Sequence, residues 1–186
     1  MAIEIEKKYR LDKKLLIGLA TKLIELGAKF TYETFEENYL YKGGVLDERA
    51  AVLRLRKSDR KTQLTHKEKT GTEGEFKHQI EFETEVTDVD ATEAIIEKLG
   101  YTLAIVYEKH RKAWEFGDVE IVLDELPFGY YMEIEGSMDD ITKMEKLLKI
   151  TGLETEARGY PRLTTKYGKL LKNGVYEARF SKKASA

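Results

Sequence analysis

The sequence predicts an α+β fold: eight extended runs, with amphipathic helices after the first, the fifth and the last. Two observations about the runs narrow the architecture. Most carry charged residues at period two on one face and mainly apolar residues on the other, as in LRLR at 53–56 and EIE at 133–135. The signs also segregate by strand. Arg54 with Arg56 and Lys109 with Arg111 are basic, whereas Glu4 with Glu6, Glu81 with Glu83 and Glu85, and Glu133 with Glu135 are acidic. A sandwich would turn these charged faces to water. A barrel with a charged lumen fits the same alternation, and it is favoured by the sign segregation and by helices able to cover an apolar outer surface. The pattern alone leaves both open.

The chain opens on IEIEKKY, where Glu4, Glu6 and Lys8 share a face opposite Ile3, Ile5, Lys7 and Tyr9. Leu15, Leu16, Leu19, Leu23 and Leu26 then recur at helical spacing, with Asp12 placed to cap and Gly27 to close. Extended runs follow at 34–41, 51–57, 63–69 and 78–86, with turns at Gly43-Gly44 and at Gly71 and Gly74. Asp90 to Gly100 reads as a helix with Ile95, Ile96 and Leu99 on its apolar face. Runs at 101–116 and 119–124 flank Gly117-Asp118, a hairpin signal. Pro127 to Gly129 breaks the chain before YYMEIE. Asp139 to Ile150 reads as a helix, and a short one is expected from about Thr165 to Leu171. A single domain is expected over residues 1–175, with residues 176–186 as a flexible tail.

Composition removes several classes of function. Charged residues make up 35% of the 186, yet the net charge is only −2, which is not the profile of a duplex nucleic-acid binder. With 41% apolar residues the chain can bury a core. The absence of cysteine leaves carboxylates, histidines and water as metal ligands. No apolar run approaches a membrane span and no signal-like segment opens the chain, so a cytoplasmic protein without a membrane partner is expected.

Arginine and lysine clustered in a lumen repel one another unless an anion neutralises them, and the guanidinium fork suits phosphate oxygens. Carboxylate pairs repel an anion but hold Mg²⁺ or Mn²⁺, which bridge to it. Basic and acidic strands together therefore suit a metal-bound polyphosphate.

The same residues resemble the CYTH family, also called the triphosphate tunnel metalloenzymes. Its members include class IV adenylyl cyclases, thiamine triphosphatases and inorganic triphosphatases. The opening E-x-E-x-K matches Glu4, Glu6 and Lys8. The likeness continues through LRLR (Arg54, Arg56), LTHK (Lys67), EFE (Glu81, Glu83), KHR (Lys109, Arg111), VLDELPFG (Asp124), MEIEG (Glu133, Glu135) and TKY-x-x-LL (Lys166, Tyr167). Asn38 stands where many members carry an acidic residue, and the serine that often precedes the C-terminal tyrosine is missing. The resemblance implies an eight-stranded antiparallel β-barrel, a tunnel that holds a triphosphate end-on, with helices packed outside. It implies phosphate contacts from Lys8, Arg54, Arg56, Lys67, Lys109, Arg111 and Lys166. It assigns the metal sites for Mg²⁺ or Mn²⁺ to Glu4, Glu6, Asp124, Glu133 and Glu135, with Glu81 and Glu83 nearby, and catalysis to Glu4, Glu6 and Lys8.

Plainer roles suit other residues. Glu81, Glu83 and Glu85 also read as a solvated strand face. His66, His78 and His110 make no metal-ligand spacing, and Trp114 and the tyrosines read as outer packing. Gly71 and Gly74 lack the lysine and strand-to-helix setting of a phosphate-binding loop. Two reactions use such a tunnel. Hydrolysis of ATP, tripolyphosphate or thiamine triphosphate needs cations, metal and a positioned water. Conversion of ATP to cyclic AMP and pyrophosphate also needs an adenine pocket and an in-line ribose hydroxyl. Triphosphate hydrolysis is therefore the expected activity, with the cyclase reaction and a non-catalytic polyphosphate-binding module as alternatives. A homodimer is compatible with this reading and not required by it.

Overall fold

β1 (Ile3–Leu11) has both edges taken. It pairs antiparallel with β5 (Phe76–Glu85), with Glu6 opposite Lys77, and with β8 (Gly129–Glu135), with Lys8 opposite Glu133. The computed structural model describes residues 3–73 and 75–181, and the side chains of residues 3, 4, 69, 72, 73 and 77 lie outside that description. The neighbouring strands are β2 (Lys29–Lys42), β3 (Val52–Ser58), β4 (Thr62–Glu73), β6 (Thr102–Phe116) and β7 (Val119–Leu126). They run in the order β2-β3-β4-β5-β1-β8-β7-β6, and a long antiparallel pairing of β6 with β2, from Lys29 opposite Glu115 to Lys42 opposite Thr102, closes the circle. The closed eight-stranded antiparallel barrel is thus the architecture, and the sandwich is excluded. Closure leaves no exposed edge between these strands.

The apolar residues of the strands face outward onto helices. α1 (Lys13–Glu25) is capped by Asp12, whose side chain accepts from the Leu15 amide at 2.7 Å. α1 and α4 (Met138–Leu148) cover one side, where Leu19, Leu23, Ile141, Met144 and Leu148 pack on Tyr9, Leu11, Trp114, Ile121 and Ile134. α3 (Val89–Lys98), which follows the short α2 (Gly44–Glu48), seats Ile96 on Tyr41 and Leu55. Each fully buried aliphatic side chain contributes about 1.5–3 kcal/mol, so this outer layer supplies much of the driving force for closing the barrel. No helix among the described residues is long and apolar enough to cross a membrane.

Several boundaries differ from expectation. Asp88 rather than Asp90 caps α3, accepting from the Ala91 amide at 2.9 Å. The last helix, α5, spans Tyr160–Tyr167 rather than starting near Thr165, because Pro161 sits comfortably in a first turn and Gly168 closes the last. The segment expected as tail is partly sheet. β10 (Tyr176–Ala178) pairs parallel with β6 at residues 105–107 and antiparallel with β9 (Lys169–Leu170). Arg179 then reaches Glu37 at 2.5 Å and Glu108 at 2.7 Å. A chain ended at Val175 is expected to lose about 2 kcal/mol of stability through the missing ladder and ion pairs. Urea denaturation checks this; an unchanged midpoint would show that β10 adds nothing.

Candidate active site

One cavity of about 240 Å³ occupies the barrel interior beside α5. Its lining includes seven cationic residues, Lys8, Arg54, Arg56, Lys67, Lys109, Arg111 and Arg162, and three carboxylates, Glu6, Glu133 and Glu135. Strand alternation delivers them. On β3, Arg54 and Arg56 point in while Leu55 lies buried under α3. On β1, Glu6 and Lys8 point in while Lys7 and Tyr9 turn out to the Glu145 carboxylate of α4, at 2.7 and 2.9 Å.

Two buried acids organise the cations. Glu36, on β2 and only 2% exposed, is ion-paired with Arg56 Nε at 3.1 Å and with Lys109 Nζ at 3.3 Å. Asn38, two residues along, accepts from the same Arg56 Nε at 3.1 Å. Asp124, on β7 and fully buried, holds Arg111 through two bonds, Nε at 2.7 Å and Nη2 at 2.6 Å. Its second oxygen also accepts from the Tyr160 hydroxyl at 2.8 Å. Arg111 extends to Glu133 at 2.7 Å, and Glu133 pairs with Lys8 at 3.0 Å. Lys8 also donates to the Arg158 carbonyl at 3.1 Å and lies 4.1 Å from the centre of the Tyr160 ring.

Burial alone would push the Glu36 carboxyl up, but Lys109, Arg56 and Arg111 together override it and hold the group at about 2. Lys109 goes the other way. Burial, reinforced by Arg111, outweighs Asp124 and Glu36 and brings its ammonium down to about 8. Burial also lowers Arg54, helped by its neighbour Arg56. Lys8 is raised, because Glu133 and Glu6 more than offset its desolvation. The Tyr160 phenol is pushed well up by burial and then by Asp124 and Glu133, so it donates to Asp124. With seven cationic residues against three carboxylates on its lining, the interior suits an anionic ligand.

The structure places the residues singled out from the sequence in three groups. Glu6, Lys8, Arg54, Arg56, Lys67, Lys109, Arg111, Glu133 and Glu135 line the cavity. Asp124, expected to ligate metal, sits behind the lining with both oxygens engaged by Arg111, Tyr160 and Lys109. Glu81 and Glu83 are also off the lining: Glu81 pairs with Lys67, and Glu83 accepts from Gln63 and from Thr65 at 3.0 Å. Lys166 is exposed over the Tyr167 ring, and Arg162, one turn earlier on α5, reaches the cavity instead. The Glu4 side chain lies outside the described residues; its backbone is opposite Gln79 on β5. Replacing Lys166 by alanine is expected to change stability by no more than about 0.5 kcal/mol, as for an ordinary surface position. A loss of about 2 kcal/mol in urea denaturation would contradict that placement.

Glu36, Tyr160 and Arg162 went unread in the sequence. Glu36 was detectable, since it shares the inward face of β2 with Asn38, whereas Tyr160 and Arg162 depend on how α5 docks. Tyr107, Tyr131 and Tyr160 are likewise not outer packing: with Leu40, Leu126 and Leu163 they form an apolar cluster between the barrel and α5.

Glu6 and Glu135 are register partners on adjoining strands and both reach the lining, with Glu133 two residues away. Such hard oxygen donors suit Mg²⁺ or Mn²⁺, which need only one or two carboxylates when water and phosphate oxygens complete the shell. Among the described residues no group of three acidic or histidine side chains is arranged to hold an ion unaided.

The CYTH domain family model matches residues 2–163. Solved structures share the fold. The PH1819 protein of Pyrococcus horikoshii OT3 is 26% identical, with a TM-score of 0.71 over 88% of this chain and 99% of that one. A candidate adenylate cyclase from Vibrio parahaemolyticus is 22% identical, with a TM-score of 0.67 over 88% and 98%. HpAC1 from Hippeastrum, described as a candidate adenylyl cyclase with a dominant triphosphatase activity, is 20% identical, with a TM-score of 0.65 over 91% and 98%. Comparison with curated proteins finds no match.

Proposed function

This chain belongs to the CYTH domain family, and from that premise we propose that it hydrolyses a triphosphate held in the barrel, with a divalent cation as cofactor. One observation carries the reading: seven cationic residues and three carboxylates line a single interior cavity. Asp124 fixes the guanidinium plane of Arg111 by two bonds, and Arg56 is held by its bond to Asn38 and its ion pair with Glu36, so both offer oriented donors to phosphate oxygens. Lys8, Lys67 and Lys109 add point charges around the same space. This array stabilises the charge that spreads over the terminal phosphoryl group as it passes to water, leaving diphosphate and orthophosphate. Bound Mg²⁺ or Mn²⁺ would be held by Glu6 and Glu135 together with water and phosphate oxygens, and would neutralise the phosphate oxygens; Glu133, like Asp124, has both oxygens on protein donors, Lys8 and Arg111. Glu4 belongs with that set on its position in β1, two residues from Glu6.

Hydrolysis asks only for this cationic array and a placed water, whereas cyclisation further demands a base pocket and a ribose aligned with the α-phosphate. Incubation with ATP, tripolyphosphate and thiamine triphosphate in Mg²⁺ or Mn²⁺, with products separated by chromatography, tests the proposal. Orthophosphate released by the protein and lost in Glu6→Gln supports it. Cyclic AMP with pyrophosphate would put the cyclase reaction in its place.

A further inference from the structure

We infer that Tyr160 is a positioning residue, through which the docking of α5 sets the geometry of the cations Lys8, Lys109 and Arg111; the inference rests on the triphosphate reading above. Three separate contacts converge on this side chain. Its hydroxyl donates to the Asp124 oxygen that also receives Arg111 Nη2. Its ring face carries the Lys8 ammonium at 4.1 Å and the Lys109 ammonium at 5.4 Å. Tyr160 thus touches two lining cations directly and a third, Arg111, through Asp124.

Asp124 is buried and must serve two cations at once, Arg111 by two bonds and Lys109 at 3.5 Å. A carboxylate so placed can still rotate about its side-chain torsion, and the phenol's bond fixes the plane that Arg111 copies. The ring does the same for Lys8, whose flexible stem would otherwise let its ammonium follow Glu133 or the Arg158 carbonyl. Tyr160 is delivered by a helix, not by the barrel. α5 is seated by Leu163 and Tyr160 against Leu40, Tyr107, Leu126 and Tyr131. The phosphate-facing array is therefore complete only when α5 is docked.

A purely structural role for Tyr160 makes different predictions. Leu163 sits in the same apolar seat but has no polar link to the cations, so Leu163→Ala costs stability in the seat while α5 stays docked and Tyr160 keeps its contacts to Asp124, Lys8 and Lys109. Binding of tripolyphosphate to the full chain, measured calorimetrically with metal chelated, compares Tyr160→Phe, Tyr160→Leu and Leu163→Ala with the unaltered protein. Tyr160→Phe keeps the ring and is expected to bind about ten- to a hundredfold more weakly, the effect of losing one hydrogen bond to a charged group. Tyr160→Leu loses more, Leu163→Ala binds as the unaltered protein does despite a lower melting temperature, and in turnover the Tyr160→Phe loss lies in KM more than kcat. Unchanged binding in Tyr160→Phe, or equal weakening in Leu163→Ala, would overturn the inference. Failure of the unaltered protein to bind tripolyphosphate would overturn the triphosphate reading and this inference with it.

Discussion

Glu36→Gln is expected to lower the stability of the protein by about 3–5 kcal/mol, the cost of removing one partner from a buried charge cluster. Arg56 and Lys109 lose their shared carboxylate and face each other, with Arg111 close by, across a desolvated interior. The acid limb of stability should change with it. The Glu36 carboxyl lies at about 2 in the folded protein, against an ordinary value of 4.5, so its contribution is complete above about pH 4.5. It is lost as pH falls through that window toward 2, and the depression corresponds to about 3 kcal/mol. Urea denaturation of both proteins between pH 3 and 7 checks the sign: the difference should be largest near neutrality and shrink on acidification. Tripolyphosphate should restore part of the lost stability, since a bound anion takes over the neutralisation. A glutamine variant with an unaltered midpoint at pH 7 would show that Glu36 does not balance this cluster.

Arg111→Ala is expected to reduce kcat/KM for tripolyphosphate by about 10²–10³, the loss typical of one preorganised donor to a transition-state oxyanion. It also strands Asp124, which has no exposed surface, without its two-bond partner. The variant should therefore unfold more easily as well. The two effects separate by assay at a temperature where circular dichroism shows the variant folded. Activity within threefold of the unaltered protein under those conditions would remove Arg111 from the phosphate array.

Much of this site is written in local alternation. Arg54 and Arg56 can only share a face if LRLR is extended, and the helix-covered Leu55 on the other side decides which face is the lumen. Parity likewise brings Glu6, Lys8, Glu133 and Glu135 inward, because a barrel closed by the β2–β6 pairing has just one inside. Parity does not say which partner a side chain finds once there. Asp124 shares the inward face with Glu133, yet its register opposite Arg111 commits both of its oxygens to protein donors. Position along α5 is the other property that local pattern does not give. Arg162 and Lys166 share one face of the helix, but the cavity lies against its first turn, so Arg162 reaches the lining and Lys166, one turn on, stays in solvent. Tyr160 reaches Asp124 across 36 residues, a contact no local periodicity encodes. β10 is equally silent, being three residues long and paired in parallel with β6.

The most direct measurement is a phosphorus-31 NMR time course of the purified protein with tripolyphosphate and Mg²⁺. The terminal and central phosphate signals are expected to decay together into diphosphate and orthophosphate, and Arg111→Ala to slow the decay at least about a hundredfold. Signals that neither broaden nor decay in the presence of the unaltered protein would contradict this, leaving the charged lumen without the ligand it is built to hold.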